Sequence, residues 1–173
     1  VRTIVNTDEG ELAFQEYFVH RHCEPRVKGF RFDGVNSAAP VIGALEEIES
    51  SDAVIFCPSN PWVSIDPILS IPQMRRVLEN KKVVAVSPII GGKTVKGPAA
   101  KMYAELGIEP SAFAVAEHYQ NLLTGFVLDT TDANLEMNVQ NLTIKTLLTD
   151  TLMNNLTDRA RLANDVLNFV RSN

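Results

Sequence analysis

A Rossmann-like α/β fold, a mainly parallel sheet flanked by helices in three α/β/α layers, is what this sequence predicts, on three observations. Short β-branched runs alternate with segments of helical period, as repeated strand–helix–strand units would leave them. The 173 residues suffice for one sizeable core and are short for two, so residues 1–173 read as a single domain. With 45% hydrophobic and 21% charged residues, the composition is that of an ordinary globular domain.

Six runs read as strands: RTIV (2–5), VKGFRF (27–32), AVIF (53–56), KVVAVS (82–87), GFVLD (125–129) and TIKTLL (143–148). Between them, Ala99, Met102, Tyr103 and Leu106 share a helical face, as do Leu162, Ala163, Val166 and Val170. Pro98 suits the first position of the earlier helix and Gly107 the left-handed residue after its last turn. Asp158 suits the N-cap of the final helix. The segment GELAFQEYFVHRH (10–22) reads as helix through Phe14, Tyr17, Phe18 and Arg21, although Leu12, Phe14 and Phe18 also fit strand alternation.

The net charge of -5 argues against a general binder of nucleic acid or acidic membrane, so any phosphate site must be local. Cys23 and Cys57 form no C-x-x-C pair and suggest neither a disulfide framework nor a zinc site. A cytoplasmic location is the expectation, with no signal peptide and no apolar run of membrane length. The N-L-T sequons at Asn141 and Asn155 read as chance.

Ligands of open α/β sheets gather beyond the carboxyl ends of the strands, and two loops qualify here. The first, C-P-S-N-P-W-V-S, follows AVIF; Pro58 and Pro61 stiffen it and hold Ser59 and Asn60 for a phosphate or base edge. The plainer alternative is that Ser59 and Asn60 satisfy turn backbone. The second, S-P-I-I-G-G-K-T-V-K-G-P, offers Gly91 and Gly92 for close backbone approach, Lys93 and Lys96 for charge, and Gly97-Pro98 opening a helix toward an anion. Its G-K-T is no P-loop: the leading glycine would fall at Ser87, and Gly97-Pro98 breaks any helix starting at Thr94. A glycine-rich anion loop and a solvated lysine turn both remain open. His20, His22 and Glu24 imitate a metal cluster that a helix would pull apart, and His118, beside Tyr119, is either a ligand contact or a satisfied, partly buried histidine. Trp62 walls a pocket or fills the core.

Read with their surroundings, these loops resemble the 2-phospho-L-lactate transferase family. The matching blocks are EGELAFQEYFV, PSNPWVSIDPILSIPQMRR, VAVSPIIGGKTVKGPAAKMYAELG, AEHYQNLLTGFVLDTTDA, LLTDTLM and DRARLA, in the family's order. One departure is Asp66, where the family commonly has glycine.

The resemblance implies a magnesium-dependent enzyme of coenzyme F-420 biosynthesis. It would transfer a phospholactyl or phosphoenolpyruvyl group from a guanosine-diphosphate-linked donor to the terminal ribityl hydroxyl of the deazaflavin FO, releasing GMP. It sets Ser59, Asn60, Pro61 and Ser64 against the guanine nucleotide and Gly91, Gly92, Lys93 and Gly97 near the transferred phosphate, with Lys93 as the catalytic charge. Ser87 and Lys96 join the donor-binding set, His118 is a candidate substrate contact, and the magnesium ligands are not identifiable. The family's glycine-rich G-G-T-G-G-like loop and FO-associated aspartate do not occur here, and VRTIV already reads as strand. The expectation is therefore the C-terminal part of a longer transferase, inactive alone and a candidate homodimer. The alternative is a nucleotide-sugar-binding regulator related to gluconeogenesis factor.

Overall fold

The computed structural model describes residues 1–172. The chain opens with an antiparallel sheet of β1 (Arg2–Thr7), β2 (Gly10–Ala13) and β3 (Val27–Asp33), in the order β2-β1-β3. Here the sequence expectation needs correcting. RTIV and VKGFRF are strands, but they pair with each other, Val5 opposite Phe30, outside the parallel sheet. On the other edge of β1 a tight reversal follows Thr7, where Thr7 Oγ1 donates to Gly10 O at 2.7 Å and sets Leu12 beside Val5. A parallel crossover needs a dozen or more residues between its strands, so β1 and β2, joined by residues 8–9 alone, can only be antiparallel. The same hairpin claims the start of the segment expected to be helical, so helix covers only residues 14–20, its Glu16–His20 turn of the wide π type.

Next come α1 (Ala44–Ser50), β4 (Val54–Phe56), α2 (Asp66–Leu69), α3 (Met74–Leu78) and β5 (Val83–Val86). A small hairpin of β6 (Ile89–Ile90) and β7 (Lys93–Thr94) leads to α4 (Ala99–Glu105), α5 (Ala112–His118), β8 (Gly125–Asp129), α6 (Glu136–Gln140), β9 (Lys145–Thr149) and α7 (Leu156–Ser172). β4, β5, β8 and β9 form a wholly parallel sheet in that order.

Every residue of β5 and β8 is buried, as strands covered on both faces require. Val83, Ala85, Phe126 and Leu128 enter the larger core with Tyr103 and Val115 of α4 and α5. The alternating Val84, Val86 and Val127 meet Leu162, Val166 and Val170 of α7. That two-residue alternation makes the three layers. Gly125 lets α7 lie close, since a Cβ there would come within 2.8 Å of Phe169 Cε1.

The helix ends obey local chemistry. Gly107, at φ 78°, closes α4: its N–H donates to Ala104 O at 3.1 Å and that of Ile108 to Tyr103 O at 2.9 Å. At α7 the cap is Asn155 rather than Asp158, with Asn155 Oδ1 accepting the Asp158 N–H at 3.0 Å. Asp158 stands one turn inside and accepts from Asn154 N at 2.9 Å. Among the described residues, no helix is long and apolar enough to cross a membrane.

Candidate functional site

A crevice of about 730 Å³ lies beyond the carboxyl ends of β4, β5 and β9. Its size suits a small-molecule ligand. Ser59, Asn60 and Ser64 line it from the loop after β4, Ser87 from the end of β5, Lys96 and Gly97 from the segment entering α4, and Thr151 from beyond β9.

The first loop is built around a buried anchor. Asn60 is extended, and Pro61 begins the helical turn Pro61–Ile65, where a missing N–H costs nothing. Asn60 Oδ1 accepts from Trp62 N at 3.0 Å, and its Nδ2 donates to Met102 Sδ at 3.1 Å. The asparagine thus caps its own turn while facing the crevice. Trp62 is buried against Tyr103, ring centroids 4.2 Å apart, and stacks on Phe30 at 5.7 Å. Pro61 is buried and does not line the crevice.

Asp66 and His118 meet behind this loop. Nε2 of His118 lies 2.9 Å from Asp66 Oδ2 and 3.1 Å from Oδ1. Asp66 has φ -58°, which any L-residue adopts, so its backbone conformation does not demand glycine. His118 packs edge-on to Trp62 and stands outside the crevice lining. The hydroxyls of Tyr103 and Tyr119 are buried without a hydrogen-bond partner among the described residues, and burial, then the Asp66 charge, pushes both up.

The second loop divides its expected duties. Gly91 (φ 55°) and Gly92 (φ 74°) form the two-residue turn of the β6–β7 hairpin, a turn that requires positive φ at both positions. Neither glycine lines the crevice, and the Gly91 N–H is given to Asp132, 3.1 Å from each carboxylate oxygen. The glycine pair makes a hairpin turn, and of its two N–H groups that of Gly91 is taken by Asp132. Lys96 and Gly97 do reach the crevice. Lys93 lines an adjoining hollow of about 380 Å³, which shares Ile90, Thr94, Val95 and Leu152 with the crevice. Ser87 is buried, its Oγ donating to Ile89 O at 2.8 Å.

Sequence reasoning missed several groups here. Asp129, at the end of β8, accepts from the N–H of Thr131 at 2.9 Å and from the N–H and hydroxyl of Thr151 at 2.8 and 3.1 Å. Burial lifts its carboxyl, but these hydrogen bonds outweigh it and hold the group below the usual aspartate range. Asp132 moves the other way: burial raises it, the Gly91 N–H opposes, and the charge of Asp129 adds to the rise. A carboxylate closing an apolar core strand was the available signal for Asp129. Phe14, Phe18 and Arg159 also line the crevice, from segments with no local motif. His20 bonds Glu16 at 2.7 Å, and no group of three His, Cys, Asp or Glu side chains placed to hold a metal occurs among the described residues.

A parallel sheet covered on both faces, with a crevice of mixed polar and apolar lining at its carboxyl edge, defines an open-sheet α/β protein with a ligand-sized crevice. The chain belongs to the family described as 2-phospho-L-lactate transferase CofD, whose model matches residues 1–168. It is 43% identical over 161 residues to the 2-phospho-L-lactate transferase of Methanosarcina acetivorans, covering 93% of this chain and 52% of the relative. To the enzyme of the same name from Methanopyrus kandleri it is 40% identical over 173 residues, covering 98% and 54%. The chain thus spans about half the length of the curated relatives it matches. Among solved structures it is similar to protein BH3568 from Bacillus halodurans, with a TM-score of 0.62 at 12% identity over 96% of this chain and 58% of that one. A second structure of that protein, described as a member of the UPF0052 family, gives 0.56 at 11% identity over 93% and 58%. At these identities the likeness shows the fold alone.

Proposed function

We propose that this chain builds the donor side of a transferase that moves a phospholactyl or phosphoenolpyruvyl group from a guanosine-diphosphate-linked donor to the deazaflavin FO, in coenzyme F-420 formation. The observation that carries the reading is the crevice itself: in a chain of this family, the P-S-N-P loop and the Lys96–Gly97 segment converge on it at the sheet's carboxyl edge. The terminal hydroxyl of the acceptor would attack the distal phosphorus of the donor. The new O–P bond forms as the P–O–P bridge breaks, GMP leaves with the bridging oxygen, and the hydroxyl proton passes to solvent or a base. Negative charge gathers on the phosphate oxygens during such a transfer, so fixed cations and donors do most of the work. Lys96 inside the crevice and Lys93 from the adjoining hollow supply the charge, and the hydroxyls of Ser59 and Ser64 supply donors.

The family resemblance implies magnesium. Asp129 and Asp132 stand near the hollow, but their oxygens already accept from Thr131, Thr151 and Gly91. No residue of this chain is assigned to the ion.

The test uses the complete reading frame that encodes this chain, incubated with FO and donor, with GMP release followed. Lys96→Ala should weaken donor binding roughly ten- to a hundredfold, the loss of a charge-assisted phosphate contact. Absence of GMP release by the wild type overturns the reading, and binding of a UDP-sugar in place of GDP points to the regulator instead.

A further inference from the structure

Trp62 and Asp66 stand four residues apart on the helical stretch that the first loop feeds, Pro61–Ile65 followed directly by α2, and so share one of its faces. Val63 and Ser64, between them, line the crevice. One side chain grips the inner pair. Nε2 of His118 lies 2.9 Å from Asp66 Oδ2 and 3.1 Å from Oδ1, and the same ring stands edge-on to Trp62, centroids 5.8 Å apart and planes at 79°. An ionised carboxylate only accepts, so the Nε2–H is the donor. The two side chains are only 15% and 23% exposed, and their bond escapes most of the solvent competition that weakens a surface pair.

His118 is itself fixed. It ends α5, and its neighbour Tyr119 lies edge-on to the imidazole at 4.8 Å and to Phe56, the last residue of β4, at 5.5 Å. Both ends of the first loop, Phe56 and Trp62, thus rest on the same corner of the fold. We infer that Asp66 and His118 are positioning residues: holding two points one turn apart, they fix the rotation of the Pro61–Ile65 turn and so the direction in which Ser64 presents its hydroxyl to the crevice. The inference rests on the donor-binding reading above. Apolar packing of Trp62 is non-directional and sets that rotation loosely, whereas a hydrogen bond weakens steeply with angle. Neither Asp66 nor His118 lines the crevice, so their effect on a ligand must travel through the turn.

The experiment titrates the protein from the complete reading frame with GDP by calorimetry, well below the melting temperature of each variant. Asp66→Ala removes the acceptor, and His118→Phe keeps a ring against Trp62 and Tyr119 but has no N–H. Each should raise the GDP dissociation constant roughly five- to twentyfold. Asp66→Asn, whose amide oxygen still accepts from the Nε2–H, should return it to within about twofold of the wild type. Ser64→Ala should weaken GDP as well, and adding Asp66→Ala to it should bring less than about a twofold further loss, because the hydroxyl that the pair aims is gone. Unchanged GDP affinity in Asp66→Ala and His118→Phe, with or without a lower melting temperature, overturns the inference. Losses that multiply in the double variant, or an Asp66→Asn protein as weak as Asp66→Ala, overturn it too, and in each of these cases the donor reading stands. A wild type that binds no GDP overturns the donor reading and the inference together.

Discussion

The loop after β4 and the loop after β5 leave neighbouring parallel strands at the same edge of the sheet, and both carry proline and polar residues. They are held in opposite ways. The first is anchored from inside, with Trp62 sunk between Phe30 and Tyr103 and Asn60 capping the turn above it. The second is anchored by backbone, with two glycines reversing a hairpin whose tip is tied to Asp132. The difference teaches that rigidity at a strand end has two sources: a buried side chain under the loop, or a turn that fixes the backbone. In the first case the loop's polar side chains are aimed by what lies beneath them. In the second the groups reach the crevice from either side of the glycine turn, Ser87, Pro88 and Ile90 before it and Thr94 to Gly97 after it.

The comparison breaks most readily at Trp62. Trp62→Ala removes a buried indole and should cost about 3–5 kcal/mol in urea unfolding. Its counterpart in the second loop, the exposed Val95, should cost within about 0.5 kcal/mol on truncation to alanine. Comparable losses at the two positions would show that the first loop is not anchored through its tryptophan.

A smaller effect tests the other anchor. Asp132→Ala takes away the acceptor of the Gly91 N–H and should cost about 1.5–3 kcal/mol, the range for a hydrogen bond to a charged group. Asp132→Asn keeps an acceptor and should recover most of that. Its pH dependence has a definite sign. The folded protein binds the Asp132 proton more tightly than the unfolded chain does, so this group withdraws stability as pH rises from the ordinary aspartate value through its raised one. Asp129 is displaced downward, and its stabilisation is present above the ordinary value and lost as pH falls. Unfolding curves between about pH 3 and 7 should therefore show Asp132→Asn gaining on the wild type as pH rises and Asp129→Asn losing ground. Parallel curves for both variants would remove the hairpin's carboxylate tie from the argument.

How far the sequence spoke follows the same division between local and distant causes. KVVAVS and GFVLD announced the central parallel strands because burial on both faces leaves unbroken apolar runs. RTIV and VKGFRF announced strands but not that they pair with each other, a partnership between distant segments that hydrophobic period does not encode. Gly91 and Gly92 were legible as positions of unusual backbone, yet the same positive φ serves a hairpin and an anion cradle. Asp132, some forty residues on, takes the Gly91 N–H, a tie that no local pattern in the sequence announces. Ser59 and Asn60 were legible as crevice residues because they follow a core strand directly, and Lys96 because it enters a helix at the same edge of the sheet. Phe14, Thr151 and Arg159 were not, because the crevice gathers them from opposite ends of the chain.

The smallest effect concerns Asn60, where both readings of the first loop meet in one side chain. Its carbonyl oxygen accepts the Trp62 N–H and its amide donates to Met102, so each polar end already has a partner within the fold. Asn60→Ala should then cost about 1 kcal/mol, as loss of a capping residue does, and lower the melting temperature by roughly 2–4 °C. GDP affinity of the protein from the complete reading frame should change less than about threefold, since under about 0.7 kcal/mol of ligand contact is being removed. Asn60→Asp separates the two jobs further. Its carboxylate can still accept from Trp62 N and so should recover stability, but it brings a negative charge to a crevice proposed to hold phosphates and should weaken GDP more than alanine does. An Asn60→Ala variant with an unchanged melting temperature and weakened GDP would reverse the assignment, because a side chain spent on its own turn cannot be lost without the turn registering it.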